Sequence, residues 1–240
     1  MSTSTLTPTA LDALAPVRAW SPSTTGGVKP ISEATLAFQA RITAAFRLLR
    51  ETGTLSATNS SNISVRVQGT SRFVIAGPNI APDQSVGDSS AALVDAEGGH
   101  YEGRIGPGIQ EVILVHGAVY RLRPEVGAVI HTHSPNLTSL AIAHRDLPVR
   151  HAALLRWNAI PLVPTTVWAP RYAPDPVEET LAKHSRASGV LLGNRGTLLF
   201  GADALDAARH AVFLEEAAGI IIDAEILGGA KPLPADAFAD

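Results

Sequence analysis

The segment from Gly127 to His133, with the sequence GAVIHTH, constrains the fold more than any other part of the chain. Its first four residues carry no polar side chain, which predicts a short strand buried inside a sheet. Side chains two residues apart in a strand project from the same face, so His131 and His133 are expected to converge where this strand ends. The chain must therefore build a sheet around this strand and cover it with helices.

Apolar residues elsewhere alternate between the period of a helix and the period of a strand. The helical pattern that begins at Ser32, a predicted N-cap, ends at Gly53. Further helices are predicted at about 109–122, 135–144, from 176 onward and 203–227, and strands at 62–67, 72–76, 91–95, 160–163 and 189–192. This order predicts one α/β domain over residues 31–228 with a mixed central sheet. A flexible N-terminal arm (1–30) and a C-terminal tail (229–240) are expected to flank it.

The composition excludes several classes of function. The 240 residues include no cysteine, so a disulfide framework and thiolate chemistry are excluded, and a metal would have to bind His, Asp or Glu. The formal net charge is −3 and Lys and Arg are not clustered, which argues against a nucleic-acid partner. No apolar run approaches the length of a membrane helix, and the N-terminus lacks the pattern of a signal peptide. We therefore expect a cytoplasmic protein without a nucleic-acid or membrane partner.

The histidine pair and a nearby carboxylate are the strongest candidates for chemistry. Two imidazoles on the same face at a strand end can bind Zn, Mn or Fe together. The alternative is that both histidines are ordinary polar residues at the point where the strand leaves the core. Glu111 lies near the start of the predicted helix at 109–122, where it either compensates the helix dipole or serves as a third ligand or general base. His116, on the same helix, is expected to be a hydrogen-bonded packing residue.

Four blocks in order resemble the class II aldolase/adducin superfamily over roughly residues 33–220. They are Asn-Ile-Ser-Val-Arg at 62–66, Glu111 with His116 and Tyr120, the strand segment 123–133, and Gly-Asn-Arg-Gly at 193–196 followed by Gly201, Ala207 and Leu-Glu-Glu-Ala at 214–217. The resemblance implies a three-layer α/β/α domain and a divalent metal held by both histidines of the His-Thr-His and by a third histidine. It also implies a carboxylate beside the metal, here Glu111, and four-fold tetramers with sites between subunits.

The sequence departs from this pattern at the third histidine, because Arg195 occupies its position. A guanidinium has no lone pair for a metal, and its charge repels a dication. One solution is a shell of His131, His133 and Glu111, with Arg195 facing an anionic substrate that screens it. The other solution is that the metal has been lost.

A second departure concerns phosphate binding. Members that act on sugar phosphates cradle the phosphate with serines and glycines, whereas the corresponding positions here read Gly-Pro-Asn at 77–79 and Ile-Gln at 109–110. Isoleucine and proline offer no side-chain donors, and proline lacks the backbone N–H. A phosphate-ester substrate is therefore not expected.

The segment at 147–152, which contains Arg150 and His151, resembles the metal-dependent hydroxy-aromatic (dihydroxyphthalate and hydroxypyridine dicarboxylate) decarboxylases of the superfamily. We therefore expect a metal-dependent carbon–carbon lyase that decarboxylates a hydroxylated aromatic acid through a metal-stabilised enolate. Glu111 or His151 would return the proton, and the expected substrate-binding residues are Arg195, Asn62 and Arg150. Trp157, Trp168 and Tyr172 are candidates for an aromatic pocket wall.

Three other functions fit the same residues. One is an aldolase acting on an unphosphorylated hydroxy-keto acid, which uses the same enolate chemistry. Another is a non-haem iron oxygenase, because two histidines and a carboxylate can hold iron that activates oxygen. The third is a metal-free, adducin-like assembly module, which the missing third histidine favours and the intact trio of Glu111, His131 and His133 disfavours.

Overall fold

The structure, a computed structural model, describes residues 29–58, 60–77, 91–157, 162–169 and 171–238. Most of the predicted N-terminal arm (1–30) lies outside these residues, as do Pro78 and Asn79 of the expected phosphate-binding turn. No helix in the described ranges is long and apolar enough to cross a membrane.

The first helix begins where the capping pattern predicts. Helix α1 (Glu33–Glu51) has Ser32 as its N-cap, and the Ser32 side chain accepts a hydrogen bond from the backbone N–H of Thr35. The Glu102 carboxylate accepts hydrogen bonds from the Ser32 backbone, the Ser32 hydroxyl and the Thr35 hydroxyl. The start of α1 is therefore tied to a strand that lies 67 to 70 residues further along the chain.

Nine strands form the β-structure of the described residues. They are β1 (Ser61–Arg66), β2 (Arg72–Ala76), β3 (Ala92–Asp95), β4 (His100–Gly103), β5 (Ala128–Thr132), β6 (Leu147–Pro148), β7 (Leu162–Val163), β8 (Gly189–Leu192) and β9 (Gly196–Gly201). Seven of them form one sheet in the order β4-β3-β2-β1-β5-β9-β8, and β6 pairs with β7. The predicted strand at 127–133 is thus β5, an interior strand of the main sheet, with β1 and β9 on its two sides.

The sheet is less mixed than the sequence predicts. Every ladder between its seven strands is antiparallel. The parallel contribution in the described residues is an isolated bridge between Thr165 and Leu191 at the β8 edge. Short connections between β1 and β2, β3 and β4, and β8 and β9 permit only antiparallel hairpins, which explains three of the six ladders. Strands β4, β6 and β9 were not predicted; β4 has no apolar alternation and β6 spans two residues.

Helices cover both faces of the sheet, which confirms the α/β/α layering. Besides α1 they are α2 (Pro107–Gln110), α3 (Ile113–Leu122), α4 (Pro135–Ile142), α5 (Pro174–Lys183) and α6 (Ala204–Ile226). One apolar cluster contains Ile130 of β5 together with buried residues of α1, α4 and α6. A second cluster contains Val129 together with buried residues of α3 and α5. Neighbouring residues of β5 therefore face different layers, as the two-residue period of a strand requires.

The predicted helix at 109–122 is interrupted. Helix α2 ends at Gln110, Glu111 is its C-cap, and α3 starts at Ile113. A tight turn joins the two helices, in which the Val112 N–H donates to the Ile109 carbonyl. Glu111 consequently lies in a helix break and not in the first turn of a long helix.

Glu215 of α6 binds the start of α4. Its two carboxylate oxygens accept hydrogen bonds from the backbone N–H groups of Asn136 at 2.8 Å and Leu137 at 2.9 Å. The first N–H groups of a helix have no partner within the helix, so the carboxylate satisfies them and complements the helix dipole. Burial raises the pKa of Glu215, and the two hydrogen bonds oppose that shift.

We expect Glu215→Ala to lower the free energy of unfolding by about 2–3 kcal/mol, because two buried N–H groups lose a charged acceptor. Urea unfolding at a fixed protein concentration measures the change. Glu216→Ala is the matched control, since Glu216 is the exposed neighbour on the same helix. Equal losses in the two variants would show that the cap contributes nothing.

Candidate functional site

The two histidines lie together at the end of β5. His131 is buried, His133 follows the last residue of the strand, and their ring centroids are 5.0 Å apart with the rings nearly perpendicular. The predicted convergence of the two imidazoles is therefore confirmed.

The turn that carries Arg195 lies against this strand end. It joins β8 to β9 through Asn194 at φ 60° and Gly196 at φ 93°. A Cβ at Gly196 would lie 2.4 Å from the carbonyl oxygen of Thr132 and 2.8 Å from a ring carbon of His133. Glycine is required at this position because of both the backbone conformation and the close approach. The contact brings Arg195 to the histidine pair.

Tyr172 completes the cluster. The Arg195 guanidinium carbon lies 4.8 Å from the Tyr172 ring centroid, and Arg195 Nε donates to the Ala169 carbonyl. The Tyr172 ring is 5.1 Å from the His131 ring, and its hydroxyl is 3.4 Å from His133 Nε2. A shallow cleft opens beside this group, lined among others by Tyr172, Arg195, Arg171, Thr166 and Gly193.

Burial sets the protonation of this cluster. The pKa of His131 is lowered to about 3, mainly because burial disfavours its charge and next because His133 and Arg195 add positive charge nearby. The pKa of His133 is lowered by burial and then by Arg195. Burial also raises the pKa of Tyr172. Both imidazoles are therefore neutral and the phenol is protonated at neutral pH.

The hydrogen bonds of His131 define which nitrogen carries its proton. Nε2 lies 3.2 Å from the main-chain carbonyl of Arg195, and a carbonyl can only accept, so Nε2–H is the donor. In a neutral imidazole the other nitrogen must then accept. Nδ1 accepts a hydrogen bond from the side-chain amide of Asn62 at 3.2 Å.

The same logic continues through four further buried side chains. The Asn62 oxygen accepts from His116 Nε2 at 2.7 Å, and His116 Nδ1 accepts from the Ser64 hydroxyl at 2.7 Å. Ser64 in turn accepts from the Tyr120 hydroxyl at 2.8 Å. We call this chain, Tyr120–Ser64–His116–Asn62–His131, the buried relay; all five residues are buried. The prediction that His116 is a hydrogen-bonded packing residue is confirmed.

The other predicted site residues do not join the cluster. Glu111 is exposed, and its negative charge, after burial, contributes to raising the pKa of Tyr172. His151 is exposed and Arg150 half-buried, and neither side chain bonds to the cluster within the described ranges. Asn62, predicted to bind substrate, uses both ends of its amide inside the buried relay.

The donor set does not fit the metal that the resemblance implies. The described residues contain no group of three or more His, Asp or Glu side chains placed to hold a metal ion, so the expected shell of His131, His133 and Glu111 is not assembled. Both nitrogens of His131 are engaged in hydrogen bonds, and the charge of Arg195 acts on both imidazoles. A resident dication would have to displace these bonds and withstand the guanidinium charge.

The role of Tyr172 was missed in the sequence, which indicated only an aromatic pocket wall. Tyr172 lies 39 residues beyond His133 in a loop that precedes α5. No local pattern connects the two positions. The sequence showed only that Tyr172 follows Arg171 in a Pro-rich stretch. That pattern does not indicate that Tyr172 contacts His133.

The pH dependence of stability tests the buried relay. Burial is the main cause that lowers the pKa of His116 well below 6.5, and the neighbouring His131 is the second cause. As the pH falls, this histidine therefore takes up a proton in the unfolded chain before it does so in the folded chain. Stability contributed by neutral His116 is therefore present above about pH 6.5 and decreases below it, by up to about 1.4 kcal/mol per pH unit.

We expect His116→Gln to unfold with a shallower dependence on pH between about pH 6 and pH 5. The measurement is the free energy of unfolding at several pH values for the wild type and the variant. Comparison at pH 8 separates the general loss of stability from the change in slope. Equal slopes would contradict a neutral, buried His116.

Part of this chain is similar in sequence to known enzymes. L-fuculose phosphate aldolase of Escherichia coli (strain K12) is 30% identical over 114 residues, which are 47% of this chain and 50% of the aldolase. The chain thus matches about half the length of this relative. Methylthioribulose-1-phosphate dehydratase of Marinobacter nauticus is 29% identical over 185 residues, which are 70% of this chain and 85% of the dehydratase. Both relatives are lyases by name.

Solved structures show the same fold. A structure of L-fuculose 1-phosphate aldolase superposes with a TM-score of 0.71 at 22% identity, covering 89% of this chain and 96% of that one. An aldolase II superfamily protein from Pseudomonas syringae gives 0.68 at 22% identity, covering 87% and 84%. Members of this superfamily typically depend on a divalent metal and are often homotetramers. Residues 40–222 match the family described as Class II Aldolase and Adducin N-terminal domain, and the chain belongs to that family.

Proposed function

We propose that this protein is a lyase that cleaves a carbon–carbon bond in a small, non-phosphorylated acid, by decarboxylating a hydroxylated aromatic carboxylate. The observation that carries the proposal is the Arg195 guanidinium beside His133 and Tyr172 at a cleft. A guanidinium matches a carboxylate with two parallel hydrogen bonds, which gives both affinity and orientation. Arg171 lines the same cleft and adds a second positive charge.

The region that would hold a phosphate supports an unphosphorylated substrate. Ile109 is 5% exposed, and a Cβ built on Gly77 would lie 3.7 Å from its terminal methyl group. An apolar side chain therefore covers the position where phosphate-binding members of the superfamily are expected to offer donors. A phosphate dianion placed there would lose its water without gaining hydrogen bonds.

In the proposed reaction the ring carbon that bears the carboxylate first takes up a proton, and the ring hydroxyl gives up its proton and becomes a carbonyl. The bond to the carboxylate carbon then breaks and carbon dioxide leaves. The bonding electrons restore the aromatic ring and pass to the ring oxygen, which recovers its proton. Arg195 supplies positive charge and N–H donors for the negative charge that develops. Tyr172 is our candidate for the proton donor, because its phenol is protonated at neutral pH and its hydroxyl lies at the cleft, 3.4 Å from His133 Nε2. Glu111 and His151 stay predictions for the same role.

The relatives favour a second candidate function. The E. coli and Marinobacter proteins are named for an aldolase and a dehydratase that act on sugar phosphates. This chain would then cleave or dehydrate a sugar phosphate, and the phosphate would be bound through Arg171 and Arg195 in place of the usual turn.

A substrate panel separates the two candidates. The full chain is incubated with hydroxylated aromatic mono- and dicarboxylates, and in parallel with L-fuculose 1-phosphate and methylthioribulose 1-phosphate. Release of carbon dioxide from an aromatic acid is the expected result. Turnover confined to the phosphate esters would overturn the proposal in favour of the second candidate.

We expect Arg195→Lys to lower kcat/KM on the acid substrate about 10- to 100-fold, because a lysine keeps the charge but loses the two parallel hydrogen bonds. Steady-state kinetics measures the change. Arg186→Lys is the matched control, since Arg186 is exposed near the opposite end of β8.

Tyr172→Phe is the companion variant in the same assay. It keeps the ring beneath Arg195, so a proton donor should lose kcat while KM changes little. Unchanged kinetics in Arg195→Lys would show that Arg195 does not bind the substrate carboxylate through two parallel hydrogen bonds. Unchanged kinetics in Tyr172→Phe would show that Tyr172 is not the proton donor.

We also propose that the chain works as a homotetramer. The family supports this assembly, and exposed apolar side chains next to the cleft, Val167 and Trp168, support burial against another subunit. Sedimentation of the purified chain is expected to show a species about four times the 25.0 kDa of one chain. A stable monomer under assay conditions would contradict the assembly.

A further inference from the structure

We propose that in this chain the Arg195 guanidinium supplies the positive charge that a divalent metal supplies in other members of the superfamily, and that His131 positions the Arg195 turn instead of ligating a metal. The inference rests on the proposed function only in taking the bound group to be an anion. Its basis is the hydrogen bonding of the site.

The first step concerns the lone pairs of His131. A histidine ligand must present an unprotonated nitrogen to the metal. In this structure Nε2 donates its proton to the main-chain carbonyl of Arg195, and Nδ1 accepts from Asn62. His131, which would be the first ligand of a metal, already uses both ring nitrogens in hydrogen bonds, one to Asn62 of β1 and one to the Arg195 turn.

The second step is that the buried relay stabilises this tautomer. With the proton moved to Nδ1, Asn62 would have to present its oxygen to His131 and its amino group to His116. His116 would then carry its own proton on Nδ1, facing the Ser64 hydroxyl, which already accepts from Tyr120 in the present arrangement. Several buried groups would change direction together, and a buried polar group left without a partner costs about 1–3 kcal/mol.

The third step concerns charge. Arg195 holds its turn through its own carbonyl and directs its side chain back over Tyr172, so the guanidinium is fixed close to both imidazoles. A dication at the same place would be repelled by it, whereas an anion is attracted by it. Arg195 therefore provides a fixed positive charge for an anion, as a metal would, and it also provides directional N–H donors.

The fourth step concerns the number of ligands. Structural and catalytic sites for zinc use at least three protein ligands. Within the residues that the structure describes, no third His, Asp or Glu side chain joins His131 and His133 in a group that could hold a metal. Because Arg195 occupies the position of the third histidine, a single substitution at this position should restore a ligand and remove the repelling charge at once. With a third ligand present and the charge gone, the free energy of zinc binding exceeds the cost of moving the His131 proton to Nδ1, which two ligands beside a guanidinium cannot offset.

The metal content of the purified full chain tests the inference without any activity measurement. Wild type and variants are incubated with Zn²⁺ or Mn²⁺, dialysed against metal-free buffer and analysed by mass spectrometry of the elements. We expect the wild type to retain less than about one tenth of an ion per chain and Arg195→His to retain about one Zn²⁺. Arg195→Gln is the matched control, because it removes the charge without adding a ligand, and it should resemble the wild type.

The tautomer of His131 is a second, independent measurement on the wild type. Nitrogen-15 NMR of the histidine side chains should show His131 protonated at Nε2, and the addition of Zn²⁺ should leave that signal unchanged. These wild-type measurements decide the inference even where the Arg195→His variant does not fold.

Retention of about one Zn²⁺ or Mn²⁺ per wild-type chain, lost in His133→Ala, would overturn the inference and leave the proposed acid-lyase function in place. An His131 signal protonated at Nδ1 would overturn it as well. Failure of every aromatic acid in the substrate panel overturns the proposed function, whereas the metal content and the His131 tautomer continue to test the inference.

Discussion

The pairing of β5 with β1 on one side and β9 on the other is the constraint on which the site depends. In the antiparallel register Asn62 lies opposite His131, and Thr132 lies opposite Thr197 in β9. The first pair places the Asn62 amide against the imidazole. The second pair sets the β8–β9 turn against the end of β5, where Gly196 permits close approach. A shift of one residue in either ladder would send the histidines to the opposite face of the sheet.

The two-residue period of the same strands builds the buried relay. Ser64 follows Asn62 by two residues and shares its face, and α3 packs on that face with His116 and Tyr120. Polar groups in a dry layer require partners, so each of these side chains is hydrogen-bonded to the next. Because a main-chain carbonyl stands at one end, the direction of every donor in the relay follows from it. The relay therefore connects the packing of α3 to the position of Arg195.

This arrangement relates the charge of the site to its chemistry. Two neutral imidazoles, a protonated phenol and a fixed guanidinium favour an anionic ligand. Lyases of several kinds must stabilise negative charge that develops on carbon or on a conjugated oxygen, and a fixed cation does so whether it is an ion or a side chain. In the arrangement that we propose, the strand, the turn and the cleft of the family fold are kept while Arg195 supplies the positive charge in place of a metal.

Local sequence patterns were sufficient to predict many of the helices and strands of this protein. The buried strand with its two terminal histidines, the Ser32 cap and the alternation of strands and helices depend on neighbouring residues, and each was predictable for that reason. The resemblance identified the family from ordered blocks, and the arginine at the third histidine position was visible in the sequence itself. The break at Glu111 and the strands β4, β6 and β9 were not predicted. Apolar periodicity does not mark a helix break, and neither β4 nor β6 contains an apolar run long enough to predict a strand.

Tertiary structure alone decided how the site is connected. Asn62 and His131 are 69 residues apart, and His131 and Arg195 are 64 apart, so their hydrogen bonds depend on strand register that no local pattern encodes. The same holds for Tyr172, which reaches His133 from a loop, and for Glu111, which remains exposed. The amino-acid sequence thus determined which chemical groups are available and which elements carry them. The packing of those elements determined that His131 is a hydrogen-bond donor, because only the folded sheet places a carbonyl against its Nε2.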